Sequence, residues 1–97
     1  MQIEGSRILI AGATGGFGGE LARSFARRGA RLVLSGRNKA VLGALAGELG
    51  SQSFTHELTE PGSADALVAQ AADALGGLDV VVNSIGVVAF EIGRAHV

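Results

Sequence analysis

Four glycines fall within the seven residues Gly12-Ala13-Thr14-Gly15-Gly16-Phe17-Gly18. The run sits between the apolar stretch Arg7-Ile8-Leu9-Ile10-Ala11 and the start of a helical pattern. A turn in that place suits one task above others, which is holding an anion. Gly12 permits a sharp exit from a strand, Gly16 removes the Cβ that would keep a pyrophosphate off the backbone, and Gly18 lets the following helix lie close to the sheet. Thr14, Gly15 and Phe17 complete the main-chain cradle, whose N–H groups and positive dipole end face the phosphates. A dinucleotide is the ligand this context implies. The competing reading is a tight strand-to-helix turn in a purely structural domain.

A second cue lies at the end of the next apolar run, Arg31-Leu32-Val33-Leu34, where the chain continues Ser35-Gly36-Arg37. A unit that prefers NAD places an acid there to hold the adenosine ribose hydroxyls. None is present. A small hydroxyl, a glycine and a guanidinium instead leave room for a 2′-phosphate and can pair with it through charge-assisted hydrogen bonds. NADP is therefore expected over NAD, with a solvated surface arginine as the plainer reading of Arg37. His56 reads as a surface residue at a strand end, because no carboxylate or nucleophile is placed by sequence to work with it.

Composition narrows the field further. With 97 residues and 47% hydrophobic positions the chain can bury one core and no more. Eight Lys/Arg against nine Asp/Glu supply no field for nucleic acid or an anionic membrane. The absence of cysteine excludes disulfides and thiolate metal sites, and the two histidines, His56 and His96, lack a ligand-like spacing. No apolar run approaches the ~20 residues of a membrane span, and the first residues lack the order of a secretory signal. Cytoplasm is the expected location.

The elements that must position these residues follow from apolar spacing. Arg7–Ala11 reads as a strand buried on both faces. Phe17, Leu21 and Phe25, with Ala22 and Ala26, line one face of a helix that Gly29 ends. After the strand Arg31–Ser35, Asn38 suits a helix cap, and Val41, Leu42, Leu45 and Leu49 form the stripe of a helix that stops at Gly50. Ser53–His56 is a weak strand. Thr59 can cap a third helix with Pro61 in its first turn, and Leu67, Val68, Ala71 and Leu75 repeat at helical spacing. Asp79–Asn83 is a fourth strand. The order βαβαβαβ with right-handed crossovers gives an α/β fold, a parallel sheet with helices on both faces.

With these motifs the chain resembles the short-chain dehydrogenase/reductase family from about Arg7 to Phe90. Gly12, Gly16 and Gly18 match the Thr-Gly-x-x-x-Gly-x-Gly turn of the standard branch, with Ala11 in place of threonine. Gly12, Gly15 and Gly18 also fit the Gly-x-x-Gly-x-x-Gly turn of other branches. Asn83-Ser84-Ile85-Gly86 is similar to the family's Asn-Asn-Ala-Gly, so Asn83 and Gly86 carry over as cofactor-cleft residues while Ser84 and Ile85 depart. Glu57-Leu58-Thr59 stands where the family has Asp-Val/Leu-Thr. The resemblance implies that Glu57 meets the adenine amino group and Leu58 walls the ring, although Glu57 is one methylene longer and also reads as a solvated acid.

The resemblance further implies a Rossmann-type, doubly wound sheet with strand order 3-2-1-4. It implies hydride transfer between a nicotinamide and a carbonyl or alcohol substrate, and a parent protein that is a homo-oligomer. The family's chemistry needs a tyrosine, a lysine four residues later and a serine. This chain has no tyrosine, and its only lysine, Lys39, lies at the start of the second helix. No residue is therefore assigned a catalytic role, no metal site is assigned, and the expectation is an incomplete cofactor-binding domain over residues 1–90. Residues 91–97, Glu-Ile-Gly-Arg-Ala-His-Val, show no continuation of the pattern. Back-translated, GAG ATC GGA AGA GCA CAC GTC resembles the start of a common sequencing adapter, so a non-native tail on a truncated coding region is expected. The alternative function is an NADP-binding sensor without chemistry.

Overall fold

The computed structural model describes residues 3–14, 16–55, 62–83 and 88–91. Its elements are β1 (Arg7–Ala11), α1 (Gly16–Arg27), β2 (Arg31–Gly36), α2 (Lys39–Leu49), β3 (Gln52–Thr55), α3 (Ser63–Leu75), β4 (Val80–Asn83) and β5 (Val88–Glu91). They form one sheet in the order β3-β2-β1-β4-β5. β1 pairs in parallel with β2 and β4, and β2 pairs in parallel with β3.

Ile8, Leu9, Ile10 and Ala11 are all buried, which explains why β1 reads as a continuous apolar run rather than an alternation. Alternate residues serve opposite layers. Ile8 and Ile10 join Leu32, Leu34, Ala22, Leu42 and Leu45 in the layer beneath α1 and α2. Leu9 and Val33 join Leu67, Ala71 and Leu75 beneath α3. Each fully buried Leu or Ile contributes about 1.5–3 kcal/mol of transfer free energy, so the two central strands anchor both layers. Asn38 caps α2 as its residue type suggests, its side-chain oxygen accepting from the Val41 N–H at 3.1 Å.

The N-terminal ends of β1 and β4 are tied together by one ion pair. Asp79, 3% exposed, accepts from the Arg7 main-chain N–H at 2.9 Å, from Nε at 3.1 Å and from Nη2 at 2.9 Å. Arg7 Nη1 donates to the Gly76 carbonyl at 2.9 Å, and the Asp79 N–H returns a bond to the Arg7 carbonyl at 2.8 Å. These bonds hold the guanidinium above its ordinary pKa, the hydrogen bond to Asp79 being the largest cause. Gly77 is a glycine by packing, since the guanidinium stands where its Cβ would be.

Three expectations need correction. α3 spans Ser63–Leu75 behind Gly62, which is in the left-handed region at φ 79° with no side-chain cap; the expected cap Thr59 and first-turn Pro61 lie outside the described residues. Phe17 and Val41, expected on buried stripes, are 54% and 46% exposed, and each lies in the first turn of its helix. β4 begins at Val80, one residue later than expected, Asp79 preceding it with its main-chain N–H and its carboxylate both on Arg7. Finally, β4 does not end the sheet. β5 runs antiparallel beside it, with Val80 opposite Glu91 and Asn83 opposite Val88, satisfying main-chain groups that an open edge would leave to solvent. Glu91 is thus a strand residue, and Ile92–Val97 lie outside the described residues.

Candidate functional site

The C-terminal ends of β2, β1 and β4 lie in one row. Ala11 is in register with Ser35 on one side and Asn83 on the other. The chain leaves β1 toward β2 in one direction and returns through β4 in the other, so β1 and β4 flank the point where strand order reverses. In open α/β sheets that crevice takes the ligand.

Gly12 leaves β1 with φ 81°, a conformation that favours glycine, and so bends the chain sharply over the sheet edge. The next N–H, from Ala13, donates to the Ser35 carbonyl at 2.8 Å, pinning the turn to the end of β2. α1 then starts at Gly16 with no acid in its first turn, so the helix itself supplies no carboxylate to its positive end. Gly18 is buried, as close packing of α1 requires, while Phe17 stands in solvent beside the turn. Gly15 lies outside the described residues.

Thr14 reaches back over the end of β2. A Cβ at Gly36 would stand 2.6 Å from Thr14 Cγ2 and 2.9 Å from Oγ1, so the bare Gly36 is what lets the turn lie down there. Ser35 is 1% exposed, and its hydroxyl is buried with no hydrogen-bond partner among the described residues, so it faces the layer it shares with Val33. Arg37 is exposed at the strand exit and Lys39 follows in the first turn of α2. Asn83 is half-buried at the end of β4. The structure thus brings Gly12, Thr14, Gly16, Phe17, Gly18, Ser35, Gly36, Arg37 and Asn83 to one edge of the sheet. Glu57, Leu58 and Gly86 lie outside the described residues, as does His56.

A cleft of about 260 Å³ opens between α1 and α2 beside Thr14, and its charges are already matched. Arg23 Nε donates to Glu48 Oε2 at 2.8 Å and Nη2 to Oε1 at 3.3 Å, while Nη1 donates to Glu20 at 3.4 Å. The hydrogen bond from Arg23 holds the Glu48 carboxyl below its ordinary pKa. Arg23 is therefore committed to this bridge, and Arg37 stands apart from it at the exit of β2. The described residues fit a dinucleotide diphosphate: a glycine bend, a helix with no acid in its first turn, and Ser35-Gly36-Arg37 rather than an acid in the sequence at the end of β2. Sequence patterns marked these residues but not the contact of Thr14 with Gly36, which only the fold creates.

Comparison with known proteins agrees with this geometry. The profile of the short chain dehydrogenase family matches residues 6–95. The chain is 37% identical over 92 residues to a hydroxysteroid 11-beta-dehydrogenase 1-like protein of Danio rerio, covering 88% of this chain and 32% of that one. It is 35% identical over 88 residues to the galactitol 2-dehydrogenase (L-tagatose-forming) of Cereibacter sphaeroides, covering 89% and 35%. Among solved structures, a 3-ketoacyl-(acyl-carrier-protein) reductase from Brucella melitensis complexed with NADH superposes with TM-score 0.77 at 35% identity, over 82% of this chain and 34% of that one. An NADH-dependent reductase complexed with NAD gives 0.75 at 31% identity, over 84% and 36%. The chain spans about a third of the length of these relatives.

Proposed function

The chain belongs to the short-chain dehydrogenase/reductase family, and from that premise we propose that it is the dinucleotide-binding portion of an oxidoreductase that prefers NADP. The observation that carries the reading is the glycine bend at Gly12, pinned to β2 and opening onto a helix start free of acids. Gly12, Gly15, Gly16 and Gly18 would hold the diphosphate, with Thr14 and Phe17 beside it. Arg37 would hold the 2′-phosphate at the end of β2, where Ser35 and Gly36 bring no negative charge. Glu57 and Leu58 would border the adenine, and Asn83 and Gly86 the nicotinamide side of the cleft. When bound, the cofactor supplies or accepts the hydride.

The two solved relatives hold NADH and NAD, so the preference for NADP rests on this chain's own Ser35-Gly36-Arg37. The chain contains no tyrosine, and we assign it no proton donor. Reduction of a carbonyl or oxidation of an alcohol would be completed by a longer protein in which residues 1–90 form the cofactor half. Among the described residues no helix is long and apolar enough to cross a membrane.

The test is a fluorescence titration of the chain and its Arg37→Ala variant with NADPH and NADH. The variant should lose about 1.5–3 kcal/mol of NADPH affinity, roughly 10- to 150-fold, while NADH binding stays level. Equal losses for both cofactors would mean that Arg37 does not read the phosphate.

A further inference from the structure

We propose that Thr14 fixes the cofactor preference by occupying the space that any side chain at position 36 would need. The proposal rests on the reading of this edge as an NADP-preferring site. Position 36, the last residue of β2, is where an acid would read the ribose hydroxyls of NAD. A Cβ there would lie 2.6 Å from Thr14 Cγ2, 2.9 Å from its Oγ1 and 3.3 Å from its Cβ. Carbon atoms in contact sit about 3.5–4.0 Å apart, so even an alanine must push Thr14 away, and an aspartate more so.

Thr14 has little freedom to yield. Its side chain is β-branched and stiff about χ1, and rotation cannot move the Cβ that already stands at 3.3 Å. The backbone beneath it is tied by the bond from the Ala13 N–H to the Ser35 carbonyl. On the other side Gly36 is buried and paired in register with Thr55. The turn that cradles the diphosphate and the strand end that reads the ribose are thus one packed unit. Threonine in the turn keeps a carboxylate off position 36, so that position brings no negative charge toward a 2′-phosphate at Arg37. Discrimination by removing a repulsive group is as effective as adding an attractive one. Cofactor choice is therefore a property of the pair Thr14 and Gly36 as well as of the cation that follows.

The test is a mutant cycle in the 97-residue chain: parent, Gly36→Asp, Thr14→Ala and the double variant, each followed by thermal melting and by titration with NADPH and NADH. Gly36→Asp alone should melt lower than the parent and bind both cofactors poorly. Adding Thr14→Ala should recover most of the melt and turn the affinity ratio toward NADH by about tenfold or more. Gly36→Ala keeps the cycle readable should the aspartate variant fail to fold, since it too should melt lower beside Thr14 than beside Ala at that position. A switch to NADH in Gly36→Asp alone with an unchanged melt would overturn the proposal, as would a double variant that behaves like Gly36→Asp. A parent chain that binds neither dinucleotide would overturn the functional reading and this proposal with it. A parent that binds NADPH while the cycle shows no coupling would overturn this proposal alone.

Discussion

β1 ends in two opposite ways. At Arg7 its polar groups are consumed within the protein, the main-chain N–H, the carbonyl and the guanidinium all engaged by Asp79 and Gly76. At Ala11 the same strand runs into a glycine bend whose following helix begins with no acid against its positive end. The first end is closed by side chains that satisfy one another. The second end is built from glycines and small residues, and on the proposed reading its main-chain N–H groups meet an outside anion. A buried strand can therefore divide its two ends between stability and binding, and residue type at each end reveals which is which.

Asp79→Ala should produce the largest stability loss if the division is real. It strips the acceptor from the Arg7 main-chain N–H and guanidinium at once, at a cost of about 2–3 kcal/mol, because Asp79 is buried while the Arg7 side chain is 26% exposed and can return to water. Denaturant titration should show that loss, and cofactor affinity of the folded variant should be untouched. A variant as stable as the parent would mean that the Arg7 end is not what holds β1 to β4.

Gly12→Ala acts at the other end. A non-glycine residue at φ 81° costs about 1–2 kcal/mol, and here the affinity for NADPH should fall further than the stability does. If melting and binding fell in the same proportion, the bend would be a structural turn rather than an anion cradle. The smallest effect belongs to the α1–α2 bridge. Arg23 lowers the Glu48 pKa in the folded state, so the pair contributes stability above the unfolded carboxylate pKa and loses it as pH falls through the depressed folded value. Both side chains are about half exposed, so the contribution is small and screened by salt. Comparing Glu48→Gln with the parent across an acid melting series should show the two curves converging at low pH. Curves separated equally at every pH would exclude the bridge as the cause.

What could be read in advance depended on whether the signal was local. β1 and β2 were legible because a strand covered on both faces reads as an unbroken apolar run, and Asn38 because a cap acts within one turn. The left-handed Gly62 ahead of α3 was not, since a glycine carries no side chain to announce a cap. Phe17 and Val41 obey the helical period yet stand in solvent, because periodicity marks a face without saying how far along the helix that face is covered. The glycines of the turn announced themselves by number and place. The reason for Gly36 did not, being a side chain that arrives from the turn after β1, and Asp79 gave no hint that Arg7 would claim it.

The antiparallel partner of β4 bears on how the chain assembles. Every other strand pair in this sheet joins segments separated by at least one helix, and Arg7 and Asp79 stand 72 residues apart. β4 and β5 are separated only by residues 84–87 and can zip as a hairpin, an event of about 1–10 μs that closes only a short loop. The slow step is then the search that brings the ends of a long chain together. Pairing with β5 is the one strand contact of β4 that needs no long-range search, whereas its pairing with β1 closes the longest span in the sheet.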